Sequence, residues 1–122
     1  MITAAHVLLY SQDPEADRTF FRDVLQFRAV DAGGGWLIFK LPPAEVALHP
    51  ADGESEPGHR LLPTQFYLMC DDLPSLMKSL ETKHVSCTAV AKERWGIRTT
   101  IKLPSGGEIG LYQPTHATAF NL

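Results

Sequence analysis

Cysteine is scarce in this chain. Cys70 and Cys87 are the only two, they lie in separate predicted elements, and neither has a CxxC or CxxH neighbour, so neither a zinc knuckle nor a redox pair is indicated. Cys70 stands in an apolar run, where a free cysteine usually serves as a small core hydrophobe rather than a reactive thiol. No apolar run approaches the ~18 residues needed to cross a bilayer, and Met1 to His6 lacks a basic segment followed by an apolar one. A soluble, cytoplasmic protein with no membrane partner is expected. Positive charge is also in deficit: eleven Lys and Arg stand against fourteen Asp and Glu, for a net charge of −3, and they are scattered rather than gathered into a stripe. That argues against nucleic acid as a partner. The run Gly33-Gly34-Gly35 is not a phosphate loop, because no helix pattern follows it and no Lys-Ser or Lys-Thr pair stands beside it; it reads as a hairpin turn.

What is present is an ordinary globular composition, 44% hydrophobic and 20% charged. At 122 residues one domain is expected, able to bury roughly two-thirds of its unfolded surface without disulfide or metal staples. Ala5 to Ser11 forms an apolar run of strand length, and Asp13-Pro14 then supplies a helix N-cap and first-turn proline. The helix predicted over Pro14 to Gln26 aligns Phe20, Phe21, Val24 and Leu25 and leaves Glu15, Asp17, Arg18, Arg22 and Asp23 to solvent. Strands are predicted at 28–31, 36–41 and 45–49, separated by the glycine run and by Pro42-Pro43.

Residues 51–63 are polar and rich in helix and strand breakers, and read as a surface linker. The rhythm then restarts. A strand at 65–70 runs into a helix opened by Asp71-Asp72-Leu73-Pro74, with Leu73, Leu76, Met77 and Leu80 on its apolar face and His84 at its close. Strands are predicted at 86–91, 97–103 and 108–113, with Pro104-Ser105-Gly106-Gly107 as the last turn. The expected organisation is an α+β chain of two tandem βαβββ modules, 4–50 and 64–114, with a short tail at 115–122. Each module has a sheet face that it cannot bury alone, so the two are expected to pair into a curved, partly open mixed-sheet barrel with a concave trough.

Two phrases carry a family resemblance. His6-Val7-Leu8-Leu9-Tyr10, followed by Asp13-Pro14-Glu15-Ala16 and Phe20-Phe21-Arg22-Asp23-Val24-Leu25-Gln26-Phe27, resembles the opening of vicinal oxygen chelate proteins, the glyoxalase, bleomycin-resistance and extradiol dioxygenase superfamily. Leu103 to Pro114 resembles that superfamily's closing "DPDGNxIELxQP" phrase. In metal-using members the ligands come from the first and last strands of each module. Carried over by position, they fall on His6, Ala47, Gln65 and Gly110, so three of the four are not the family's ligand residues. A divalent ion needs three or four good donors, commonly including a carboxylate. His49 and Glu108 lie two residues from vacated positions, roughly 7 Å along a strand. The expectation is therefore no metal cofactor, a divalent ion being disfavoured, and His6, Ala47, Gln65 and Gly110 are vestigial positions. The resemblance also implies a homodimer.

Period-2 alternation from these positions points His6, Leu8, Tyr10, Glu45, Ala47, His49, Gln65, Tyr67, Met69, Glu108, Gly110 and Tyr112 toward the trough. The candidate ligand-binding residues are His6, Tyr10, His49, Gln65, Tyr67, Met69 and Tyr112, with Trp95 and Arg98 at a rim where a ring and a guanidinium suit a carboxylate or aromatic ligand. Simple core filling of the trough and a plain hairpin tip at Trp95 are the alternatives. His6, His49 and Glu108 are the candidates for proton transfer, against structural or exposed roles for each. Three functions are open: metal-independent binding of a small, largely apolar or aromatic molecule; a metal-dependent lyase or dioxygenase with an atypical site around His6; and a non-metal enzyme using His6 or a glutamate as base. The vacant carboxylate position at Gly110 favours the first.

Overall fold

A computed structural model of the chain describes residues 1–50 and 62–122, so all but Leu62 and Pro63 of the expected linker lies outside the described residues. The chain divides into two compact units, Met1–Lys40 with Lys102–Glu108, and Leu41–Ile101 with Ile109–Leu122. Among the described residues no helix is long and apolar enough to cross a membrane.

The first unit is built on helix α1, Pro14–Asp23. The Asp13 carboxylate accepts from the amide of Ala16 at 3.2 Å, Pro14 fixes the first turn, and Phe20 and Phe21 are buried. The helix is shorter than the 14–26 pattern predicts, because Val24 caps it and Gln26 turns the chain at φ 61°. Phe21 packs against Phe27 and Phe39 with ring centroids 5.9 and 5.6 Å apart. Strands β1, Ala29–Asp31, and β2, Leu37–Phe39, pair antiparallel with Val30 opposite Ile38. The turn between them is closed by Asp31, whose carboxylate accepts from Gly33 at 2.7 Å and Gly35 at 3.2 Å. Gly33, Gly34 and Gly35 have φ of 132°, 61° and 88°, three successive values that side chains resist, which is why the run is glycine.

Asp17 departs from expectation. It is buried, not solvated, and its carboxylate accepts from the hydroxyls of Ser11 and Ser105, both at 2.6 Å, and from the Ser105 amide at 3.0 Å. The helical pattern cannot reveal this, since both serines come from outside the helix.

The second unit carries a four-stranded sheet in the order β3-β6-β5-β4, formed by Tyr67–Met69, Glu108–Pro114, Gly96–Lys102 and Ala91–Glu93. Strand β3 runs parallel to β6 with Tyr67 opposite Gly110 and Met69 opposite Tyr112. Helix α2, Leu73–Thr82, is capped by Asp72 and closed by a Schellman arrangement: Val85 and His84 donate to the carbonyls of Leu80 and Glu81, each at 3.0 Å, with His84 at φ 62°. The Gln113 side chain accepts from the Leu73 amide at 2.9 Å, tying β6 to the start of this helix. Leu73, Leu80, Val85, Ile101, Ile109 and Leu111 are buried and form the apolar core of this unit.

Two predicted strands are absent. Residues 5–11 and 45–49 form no regular strand, and Leu8, Tyr10, Val46 and Leu48 are 64%, 91%, 88% and 88% exposed. A strand-length apolar run reports propensity only; a strand also needs a neighbour to supply its ladder of hydrogen bonds, and neither segment has one among the described residues. The strand predicted at 86–91 is reduced to a bridge between Cys87 and Ile101, then resumes as β4, where Ala91 faces Arg98. Four steps on one side match three on the other, so one extra residue bulges within 88–90. Thr hydroxyls satisfy the backbone there: Thr99 donates to the Thr88 carbonyl at 2.6 Å, and the Thr88 hydroxyl accepts from the Thr100 amide at 2.9 Å. The chain is thus of mixed α+β content, with two helices and two sheets among the described residues.

Candidate functional site

Strand alternation in the second unit sends Ile109 and Leu111 into the core and leaves Gly110 and Tyr112 to the opposite face, beside Tyr67 and Met69 of the paired strand. Gly110 is buried under the ring of Tyr67: a Cβ placed on it would lie 2.1, 2.3 and 2.8 Å from three atoms of that ring. The ring occupies the volume that any side chain at position 110 would need.

The tip of the β4–β5 hairpin adds a third ring. Arg94 and Trp95 form a two-residue turn between paired Glu93 and Gly96, and Gly96, at φ 151°, passes so close to the Gln113 carbonyl that a Cβ could not be accommodated. That close approach folds Trp95 back over the sheet. Its ring centroid lies 4.9 Å from Tyr112 and 5.9 Å from Tyr67, and the two tyrosines are 5.5 Å apart, with interplanar angles of 90°, 79° and 86°. Edge-to-face packing of this kind stabilises each pair by about 0.5–1.5 kcal/mol beyond area burial. All three residues remain partly exposed.

Polar groups ring the cluster. The Tyr112 hydroxyl lies 3.5 Å from Glu45 Oε1 and 3.4 Å from His116 Nε2. Glu45 Oε2 accepts from the Ala119 amide at 2.7 Å, and the His116 imidazole stands 3.8 Å from the same carboxylate. Burial, and then the neighbouring Glu45 charge, raises the Tyr112 phenol above its ordinary value. Beyond His116 the face opens into a cleft of about 620 Å³ walled by Met69, Asp71, Gln113, His116 and Phe120. The thiols of Cys70 and Cys87 are both pushed upward, chiefly by burial, so neither is an activated nucleophile.

Of the residues singled out in the sequence, the structure gathers Tyr67, Trp95 and Tyr112, with Met69 on the adjoining cleft wall. It does not gather the others. His6 and Tyr10 are exposed on the first unit, as is Glu108, while His49 and Gln65 are exposed on the second. Arg98 pairs with Glu93 at 3.1 Å instead of forming a clamp with Trp95. His116 and Ala119 carry no pattern in the sequence that marks them as site residues, because they lie past the last patterned strand in the expected tail. Of the four positions inherited from the metal-binding pattern, Ala47 and Gly110 offer no donor atom, and His6 and Gln65 are exposed. No three His, Cys, Asp or Glu side chains converge as a metal-ligand group among the described residues.

The family model of the Glyoxalase/Bleomycin resistance protein/Dioxygenase superfamily matches residues 3–109, and the chain belongs to that superfamily. No curated protein sequence matches it significantly. Among solved structures it is similar to TnmS3, an antibiotic binding protein from Streptomyces sp. CB03234, at 21% identity over 94% of this chain and 100% of that one, with a TM-score of 0.61. It is likewise similar to a lactoylglutathione lyase from Agrobacterium tumefaciens, at 20% identity, 91% and 92% coverage and a TM-score of 0.59. The fosfomycin resistance protein FosX from Listeria monocytogenes follows at 10% identity, 94% and 96% coverage and a TM-score of 0.56. These likenesses establish a shared fold.

Proposed function

We propose that this protein binds a small, largely apolar or aromatic molecule without a metal cofactor, on the second unit's aromatic face. The observation that carries the reading is the seat of the Tyr67 ring over Gly110. Where metal-using relatives place a carboxylate, this chain has a glycine covered by a ring, joined to two further rings and an adjoining cleft of ligand size. The similarity in fold to an antibiotic binding protein is consistent with a binding role, and the exposure of His6, His49 and Glu108 weighs against an acid–base site built on them. The exposed apolar segments 5–11 and 45–49 lend support to a homodimer.

The test is binding of the neutral fluorescent probe N-phenyl-1-naphthylamine to protein stripped with chelator. Stripped protein should bind it as well as untreated protein, and Tyr112→Ala or Trp95→Ala should weaken binding about tenfold. Binding that returns only when a divalent ion is restored would hand the site to the metal-dependent lyase or dioxygenase reading. Binding indifferent to both substitutions would remove the aromatic face from consideration. Light scattering on the purified chain tests the homodimer, and a monomer at micromolar concentration would overturn it.

A further inference from the structure

Strand β6 ends at Pro114, and from Thr115 to Leu122 the chain runs on with no helix or strand. A terminus of this kind stays ordered only where it is tied down. Thr115 is the first tie: its amide donates to the Trp95 carbonyl at 2.9 Å and its hydroxyl to the Arg94 carbonyl at 3.2 Å, which fixes the start of the tail to the β4–β5 hairpin turn. The second tie is at Glu45. The Ala119 amide donates to Glu45 Oε2 at 2.7 Å, while the His116 imidazole lies 3.8 Å from the other oxygen of that carboxylate and 3.4 Å from the Tyr112 hydroxyl. Glu45 itself stands in 41–50, which also forms no helix or strand, so this tie joins two irregular segments.

The tail is also part of the cleft wall. The cleft of about 620 Å³ takes Met69, Asp71 and Gln113 from the ends of β3 and β6, and His116, Thr118 and Phe120 from the tail. The first group is held by the ladder between β3 and β6 and by the bond from the Leu73 amide to the Gln113 side chain. The second group hangs between Thr115 and the bond at Glu45. Local stability is lowest where backbone is exposed and ladders are lacking, so of the two groups the tail is the one that opens first. Phe120, 39% exposed, presents apolar surface that a molecule in the cleft would cover.

We propose that residues 115–122 are a strap over the cleft, pivoting at Thr115 and latched by the Glu45 carboxylate on the Ala119 amide, and that a small molecule enters and leaves when the latch opens. This rests on the reading that the aromatic face and its cleft bind a small molecule, and it adds the way in. The latch bond is made whether or not the cleft is occupied, so it slows entry and exit alike and cancels in the affinity. Phe120 differs. Its ring meets the ligand only once the strap is closed, so it acts on exit alone.

The experiment is stopped-flow fluorescence of N-phenyl-1-naphthylamine binding, which reads association and dissociation separately. Glu45→Ala removes the acceptor of the latch and Ala119→Pro removes its donor. Each should raise both rates about tenfold, the scale of one hydrogen bond to a charged group, and leave their ratio within about threefold. Because the two changes break one bond, the double variant should be no faster than about twofold beyond either single one. Phe120→Ala should raise dissociation about tenfold and leave association unchanged within about twofold. Association rates unmoved by Glu45→Ala and Ala119→Pro, a rise in one rate without the other, or additive effects of the pair would overturn the strap and leave the binding reading standing. Failure of the naphthylamine to bind the unmodified protein would overturn both, since the strap would have nothing to admit.

Discussion

The Tyr67 ring lies where the side chain of residue 110 would be, and the two residues are direct partners in the parallel register of β3 and β6. Glycine at 110 and an aromatic ring at 67 are therefore one feature, not two. Gly110→Ala should destabilise the protein by about 1–3 kcal/mol through overpacking. In a Tyr67→Ala background the same change should cost much less, giving a coupling that a double-mutant cycle in chemical denaturation will read. Additive costs would mean that the ring moves aside freely.

The same relationship governs any attempt to restore the family's metal pattern. Gly110→Glu combined with Gln65→His supplies ligand types but no space, since even the Cβ of residue 110 collides with the ring. That double variant should show no zinc- or nickel-dependent rise in melting temperature. A rise of several degrees would show that Tyr67 yields its place.

Asp17 anchors Ser11 and the Ser105 turn through three hydrogen bonds to one buried carboxylate. Asp17→Ala strands those donors and should lower stability by roughly 2–4 kcal/mol, whereas Ser105→Ala, which keeps the amide bond to Asp17, should cost about 1 kcal/mol. Thermal denaturation of the two variants should preserve that order.

His84 holds a left-handed conformation at the end of α2, a place where glycine is favoured. Relief of that strain outweighs the extra freedom glycine gives the unfolded chain, so His84→Gly should stabilise by about 0.5–1 kcal/mol. Its midpoint in urea should move upward with the slope unchanged.

Tyr112 should ionise above the ordinary tyrosine value of about 10. Because the folded phenol holds its proton more tightly than the unfolded one, its contribution to stability is present below the unfolded value and is lost as pH rises through the folded one. Tyrosinate absorbance should show one phenol titrating late, and Glu45→Gln should bring it back toward the others by removing a nearby negative charge.

The superfamily was legible in the chain because its two end phrases survive, and both helices because Asp13-Pro14 and Asp72-Leu73-Pro74 encode their starts locally. Alternation along β3 and β6 likewise assigned Tyr67, Met69, Gly110 and Tyr112 to one face, a consequence of the two-residue strand period alone. Pairing was not encoded locally. The runs at 5–11 and 45–49 have strand composition but no strand partner among the described residues, and the bulge near Val90 appears only when two registers are compared. Burial of Asp17 depends on a serine 88 positions away, and the place of Glu45 in the site depends on Tyr112 and Ala119, 67 and 74 positions away. Sequence by itself determined the family, the local starts and the facing of side chains, all of which are set within a few residues. Only the tertiary structure decided which ring covers Gly110, which carboxylates are enclosed and which rings meet, because those depend on contacts between segments that no local pattern records.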